Sequence, residues 1–283
     1  MIQSMTGYGK TIIQLETKKI SLEIKSLNSK NLDINTRFPG VYREKEIEVR
    51  RLIANNLVRG KVDMSFYIES TAAETSTKIN REVVANYIKE LEEIHQEDDL
   101  LSIAMRLPDV LKTEREELDP EEWALIQSGI LEAIENLKEY RRSEGEELRI
   151  DFEQRIAVLK EKLREVISLD GERLEQVRIR LKRSIKELEQ TVDENRFEQE
   201  LIYYLEKLDI TEEKVRLTNH LNYFEKELDV NISNGKKLGF ISQEIGREIN
   251  TIGSKANFAP MQKAVVEMKD ELEKIKEQLL NVL

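Results

Sequence analysis

What most limits the architecture open to this chain is a change in its apolar period. Near the start the period is two. Ile20, Leu22 and Ile24 alternate with Ser21, Glu23 and Lys25, and Val62, Met64, Phe66 and Ile68 alternate with Asp63, Ser65, Tyr67 and Glu69. That pattern belongs to strands with one buried face. Between them, residues of about 42–58 read as a helix with Gly60 as its stop, and Asn28-Ser29-Lys30-Asn31 reads as a turn. From residue 80 the period becomes helical. The expected fold is α+β: an N-terminal mixed α/β domain, then a long helical hairpin arm, then an all-α C-terminal domain.

Asp119-Pro120-Glu121-Glu122 is a helix start, with a capping carboxylate, proline in the first turn and acids at the positive helix end. This helix should run to about Tyr140. Leu148, Phe152, Ile156, Leu159, Leu163 and Val166 then recur at three and four; Leu174, Val177, Leu181, Ile185, Leu188 and Val192 do the same beyond Gly171. Two helices meeting at Gly171 are the simplest reading. Each stripe is narrow, as in a coiled-coil seam, and is satisfied either by another copy of the chain or by packing within one chain. The expected divisions are 1–143, an arm over 144–195, and 196–283. Further helices are expected at about 212–228, 238–250 and 260–282, with a turn at 231–235.

Composition narrows the chemistry. The chain has 283 residues and no cysteine, which removes disulfides, thiolate catalysis and Cys-ligated zinc together. No apolar run approaches the length of a membrane span, and MIQSMTGYGK lacks a signal-peptide core, so a cytoplasmic protein with no membrane partner is expected. The net charge is −11, but residues 1–70 hold twelve Lys/Arg against eight Asp/Glu, and residues 236–269 hold six against three. Local charge governs phosphate contact, so nucleic acid stays open as a partner.

The stretch QEIGREINTIGSKA, residues 243–256, concentrates candidate chemistry. On a helix, Leu238, Ile241, Ile245, Ile249 and Ile252 form one apolar stripe, with Glu244 and Glu248 along its edge. Two like charges there repel and lose solvation, costs that a divalent cation would relieve. A solvated face with Glu–Arg pairing is the other reading. Gly246 and Gly253 each cost roughly 1 kcal/mol in a helix, which a close approach to another helix or to a ligand can offset. Gly253-Ser254-Lys255 reads as a turn able to hold phosphate through backbone N–H groups and the Lys255 ammonium.

The two histidines cannot form a three-histidine zinc site within one chain. His95 lies in an acidic helix end; His220 lies at the edge of the stripe of Leu217, Leu221, Phe224 and Leu228.

With IQSMTGYGK, EIKSLNSKNLDINTRFP and LVRGKVD near the start, and RLTNHL, QEIGREINTIGSKA and AVVEMKDELEKIKEQLLNV near the end, the sequence resembles the YicC/YloC family of bacterial endoribonucleases. The middle, about 75–195, matches only in helical character. The resemblance implies a cytoplasmic RNA-cleaving enzyme that needs a divalent cation and forms a ring-like homo-oligomer, a hexamer. The family's C-terminal motif falls on Arg216, His220, Gln243, Glu244, Arg247, Glu248, Asn250, Gly253, Ser254, Lys255, Glu267 and Lys269. Two positions depart from it: Leu283 stands where an acidic residue is usual, and Ala256 where a serine is.

The mechanism expected on this basis is metal-assisted cleavage of an RNA phosphodiester. Glu244 and Glu248 hold Mn²⁺ or Mg²⁺, with Glu267 a third candidate. Arg247, Lys255 and Lys269 offset phosphate charge, and His220 acts as acid or base. Lys25, Asn28, Lys30, Arg37, Arg59, Lys61, Arg216 and Ser254 are candidate contacts to a single-stranded or structured small RNA. Tyr8 and Tyr42 are candidates for base stacking, with burial the stronger expectation for both. The alternatives are an RNA-binding adaptor that cuts nothing, and a structural oligomer.

Overall fold

The computed structural model describes residues 2–70, 77–94, 99–113, 118–187, 194–230 and 234–283. Strands β1 (Gly7–Gln14), β2 (Lys18–Leu27), β3 (Leu32–Arg37) and β4 (Gly60–Ser70) form one sheet in the order β1-β2-β4-β3. β1/β2 and β2/β4 are antiparallel. β3 and β4 are parallel, which requires a crossover, and helix α1 (Glu46–Asn56) provides it. The alternation seen in the sequence sets the faces. Ile20, Leu22, Ile24, Val62, Met64 and Phe66 point inward against Val49 and Ile53 of α1. A two-stranded ribbon, β5 (Thr77–Ile79) with β6 (Leu111–Thr113), and helices α2 (Arg81–Ile94) and α3 (Leu100–Ala104) follow, packed around Val84, Ala104 and Val110.

Helix α4 is the spine. It runs unbroken from Pro120 to Glu187, 68 residues or about 100 Å. Its first part covers the sheet with Trp123, Ile126, Ile130, Ile134 and Leu137. Its second part presents Phe152, Ile156, Leu159, Leu163 and Val166 to a helical core built with α6 (Thr211–Leu228), α7 (Gly235–Lys255) and α8 (Ala259–Leu279). The stripe of 148–166 is therefore satisfied within one chain.

The expected α+β class holds, but the expected break at Gly171 does not. Val166 and buried Val177 are eleven residues apart, three helical turns, so the apolar stripe keeps its phase through the glycine. Asp170 and Arg173 add an ion pair at 2.8 Å across the same turn. One helical glycine costs only about 1 kcal/mol, too little to break a helix held on both sides. Helix α5 (Glu194–Lys207) follows, and Arg173 Nη1 donates to Leu208 O at its end, 3.0 Å away. Of the outer stripe, the side chains of Ile185, Leu188 and Val192 lie outside the described residues, as does His95.

The two ends of the chain meet. Met5 N donates to Asn281 O, Leu283 N to Gln3 O, and Ser4 pairs with Val282. Among the described residues, no helix is long and apolar enough to cross a membrane.

Candidate metal centre between two antiparallel helices

Helices α6 and α7 pack side by side, with their charges arranged in three levels. At one end Lys255 Nζ lies 2.8 Å from Glu213 Oε1; at the other Lys237 Nζ lies 2.7 Å from Glu227 Oε1. These pairs fix an antiparallel register. Midway between them, His220 faces Glu244 and Glu248, with ligand atoms of all three within 4.8 Å of one another. Seven residues separate Glu213, His220 and Glu227 on α6; seven separate Lys237 from Glu244 and Glu248 from Lys255 on α7. Seven residues make about two turns, so each set stacks along one helix edge.

At both outer levels a carboxylate meets a lysine. At the middle level two carboxylates meet an imidazole and no cation. Glu248 is only 4% exposed and has no hydrogen-bond or ion-pair partner among the described residues. Its oxygens still touch solvent, whereas Glu213 Oε2 and Glu227 Oε2 at the outer levels are buried with no hydrogen-bond partner. Glu244 is half-exposed, and its nearest cation, Arg247 Nη1, stands 3.9 Å away with its own side chain 74% exposed. One imidazole nitrogen and two carboxylate oxygens within 4.8 Å of one another suit a divalent cation. This is the only group of three or more such ligands among the described residues.

Glu267, the third carboxylate expected, is elsewhere. It pairs with Lys162 of α4, whose ammonium holds its carboxyl below the ordinary range. Lys255 is likewise committed. Beyond Glu213 it donates to Asp209 O at 2.9 Å, so it locks the helix seam and does not face a phosphate. Gly253, Ser254 and Lys255 are not a turn either. They form the last turn of α7, a helix end that presents carbonyls and negative dipole and so disfavours an anion. The two glycines answer to another helix. A Cβ on Gly253 would come within 2.9 Å of Val265 Cγ1, and one on Gly246 within 3.1 Å of Leu272 Cδ2.

The other predicted contacts divide. Asn28 donates to Leu280 O and Arg59 to Val282 O, so both hold the chain's end rather than standing free for RNA. Lys25 lies 5.6 Å over the Tyr8 ring and 3.5 Å from Glu23. Lys30, Arg37 and Lys61 are exposed, Arg37 and Lys61 on the open face of the sheet. No hydrogen bond or ion pair among the described residues joins that face to the α6/α7 seam. Arg216 pairs with Glu212 on the surface of α6. Lys269 is exposed on α8, and Ser254 Oγ donates to Thr251 O. Tyr42 is buried, as expected, and donates to the Glu122 carboxylate; Tyr8 is not, at 38% exposed.

Sequence reasoning missed Glu213, Glu227 and Lys237. The seven-residue spacings were legible, but which two helices face each other was not.

Family models for the endoribonuclease YicC-like N-terminal region and the endoribonuclease YicC-like C-terminal region match residues 2–150 and 166–283. The chain is 33% identical over 292 aligned residues to the probable endoribonuclease YicC of Clostridioides difficile (strain 630), covering 100% of both chains. It is 29% identical over 291 to the protein of that name from Haemophilus influenzae (strain ATCC 51907 / DSM 11121 / KW20 / Rd), again covering 100% of both.

Proposed function

Because the chain belongs to the endoribonuclease YicC-like family, we propose that it cuts RNA internally at the α6/α7 seam, where His220, Glu244 and Glu248 hold a divalent cation. One observation carries this reading: ligand atoms of His220, Glu244 and Glu248 lie within 4.8 Å of one another midway along a seam whose two ends are each closed by a Lys–Glu pair.

In this scheme Glu248 is the fixed ligand, because the helix core holds it. Glu244 is the adjustable one at the solvent edge. His220 is the third ligand through one ring nitrogen, which leaves the other as a hydrogen-bond donor. A cation bound there supplies Lewis-acid polarisation of a phosphoryl oxygen and lowers the pKa of a bound water. The imidazole nitrogen favours Mn²⁺ over Mg²⁺, which prefers an all-oxygen, partly hydrated shell. Arg247, exposed beside Glu244, offsets charge on the reacting phosphate. A cytoplasmic homo-oligomer, which the resemblance implies is a hexamer, belongs to the same proposal; light scattering on the purified protein checks the mass.

The test is purified protein incubated with labelled single-stranded RNA in Mn²⁺, Mg²⁺ or EDTA, beside Glu244→Ala/Glu248→Ala. Internal cuts that need both the metal and the glutamates are expected. Cuts that persist in EDTA would move the chemistry to His220 and attack by the RNA 2′-hydroxyl. Binding without cutting would make the protein an RNA adaptor.

A further inference from the structure

A second polar surface adjoins the seam. An open groove of about 610 Å³ runs between α7 and α8, lined by Gln243, Gly246, Arg247, Asn250, Thr251, Ser254 and Lys276. At about 100° per residue these α7 positions share one face, and Glu244 stands on the ridge between that face and His220. From Gln243 to Ser254 the face extends about 16 Å.

Its lining is polar and lacks acids. Its two cations are paired only at its edges, Arg247 with Glu244 at 3.9 Å and Lys276 with Glu273 at 2.7 Å. The groove lining holds two cations, two amides and two hydroxyls, and no carboxylate. The contacts of Gly253 with Val265 and of Gly246 with Leu272 set α7 and α8 antiparallel and place Lys269 level with Ile249, beside the groove lining. Lys269 has no ion-pair partner among the described residues. Lys276 does have one, Glu273 at 2.7 Å, but that pair is at the surface, where such contacts are weak. Gly246 lets α8 approach closely at the groove floor, since a Cβ there would lie 3.1 Å from Leu272 Cδ2.

We propose that this groove seats single-stranded RNA next to the cleavage site, with Arg247, Lys269 and Lys276 on backbone phosphates and Gln243 and Asn250 on the edges of unstacked bases. Amides offer a donor and an acceptor together, which a base edge matches, and the Watson–Crick edge is free only in an unpaired base. The strand leaves the α6/α7 seam, crosses the ridge at Glu244 and Arg247, and runs along α7. The inference rests on the seam being the cleavage site, but its binding claim can be tested without cleavage.

Binding of a short labelled single-stranded oligoribonucleotide is measured by anisotropy in EDTA across a salt series. The proteins are wild type, Lys276→Ala, Lys276→Gln, Asn250→Ala and Glu248→Gln. Each groove variant should weaken binding several-fold. Both Lys276 variants should lower the log K against log salt slope by about 0.7, the single-strand value for one phosphate contact. Asn250→Ala should leave the slope unchanged. Mn²⁺ binding, followed by loss of the free-ion electron paramagnetic resonance signal, should survive the groove variants and fail in Glu248→Gln. Failure of Mn²⁺ binding or cleavage in the wild type, with the groove effects intact, removes the metal reading and leaves the RNA seat standing. Wild type that does not bind the oligonucleotide, or groove variants with unaltered affinity and slope, overturn the proposal. So does a change of oligomeric mass in Lys276→Ala without a change in RNA affinity, which would make the groove a contact between copies.

Discussion

Lys255 Nζ lies 2.8 Å from Glu213 Oε1, and that contact fixes where α7 ends against where α6 begins. Arg173 Nη1 donates to Lys255 O, so the same residue also ties the seam to α4. Lys255→Ala leaves a mostly buried Glu213 unpaired and should cost roughly 1–3 kcal/mol, below the fully buried range because the lysine is partly exposed. Lys255→Met/Glu213→Gln should regain much of that loss. Urea unfolding of the three proteins measures it. A variant with unaltered stability but a raised KM for RNA would return Lys255 to a phosphate role.

Glu248→Gln removes one of two like charges that stand within 4.8 Å of each other, one turn apart on α7. The metal-free variant should therefore be more stable than metal-free wild type, by about 0.5 kcal/mol. In Mn²⁺ the order should reverse, because an ion at a hundred times its Kd adds about 2.7 kcal/mol to the protein that binds it. Thermal melts with and without Mn²⁺ read both effects. A melting temperature that metal leaves untouched in wild type would argue against a site at the seam.

The glycines of α4 and α7 make opposite predictions. A Cβ on Gly171 would meet nothing within 4 Å, and the residue lies inside a continuous helix. Gly171→Ala should stabilise by about 0.5–1 kcal/mol. Gly253→Ala gains the same propensity but drives a methyl to 2.9 Å from Val265 Cγ1, so it should destabilise. If the chain turned at Gly171 instead, alanine there would lower the unfolding midpoint.

Burial and the Glu122 carboxylate push the Tyr42 hydroxyl up to about 12. Above about pH 10 the unfolded state loses this proton and the folded state keeps it, so stability falls as pH rises through the window from 10 to 12. The loss should be on the order of 2 kcal/mol. Tyr42→Phe should flatten that part of the curve. Unfolding midpoints at several alkaline pH values compare the two; equal slopes would mean that Tyr42 ionises alike in both states.

The sequence by itself determined the faces. Alternation in β2 and β4 marked which residues point to the core, and the three-four spacing of Leu238, Ile241, Ile245, Ile249 and Ile252 put Glu244 and Glu248 on one helix edge. These are local facts, because side-chain direction follows from backbone period alone. Tertiary structure decided which edges meet. It set His220 against the two glutamates, turned Glu267 to Lys162 and Lys255 to Glu213, and carried α4 through Gly171. A charge at a helix edge can pair with any neighbour brought within reach. The partner is chosen by packing among residues distant in sequence, and a periodicity within one helix carries no record of it.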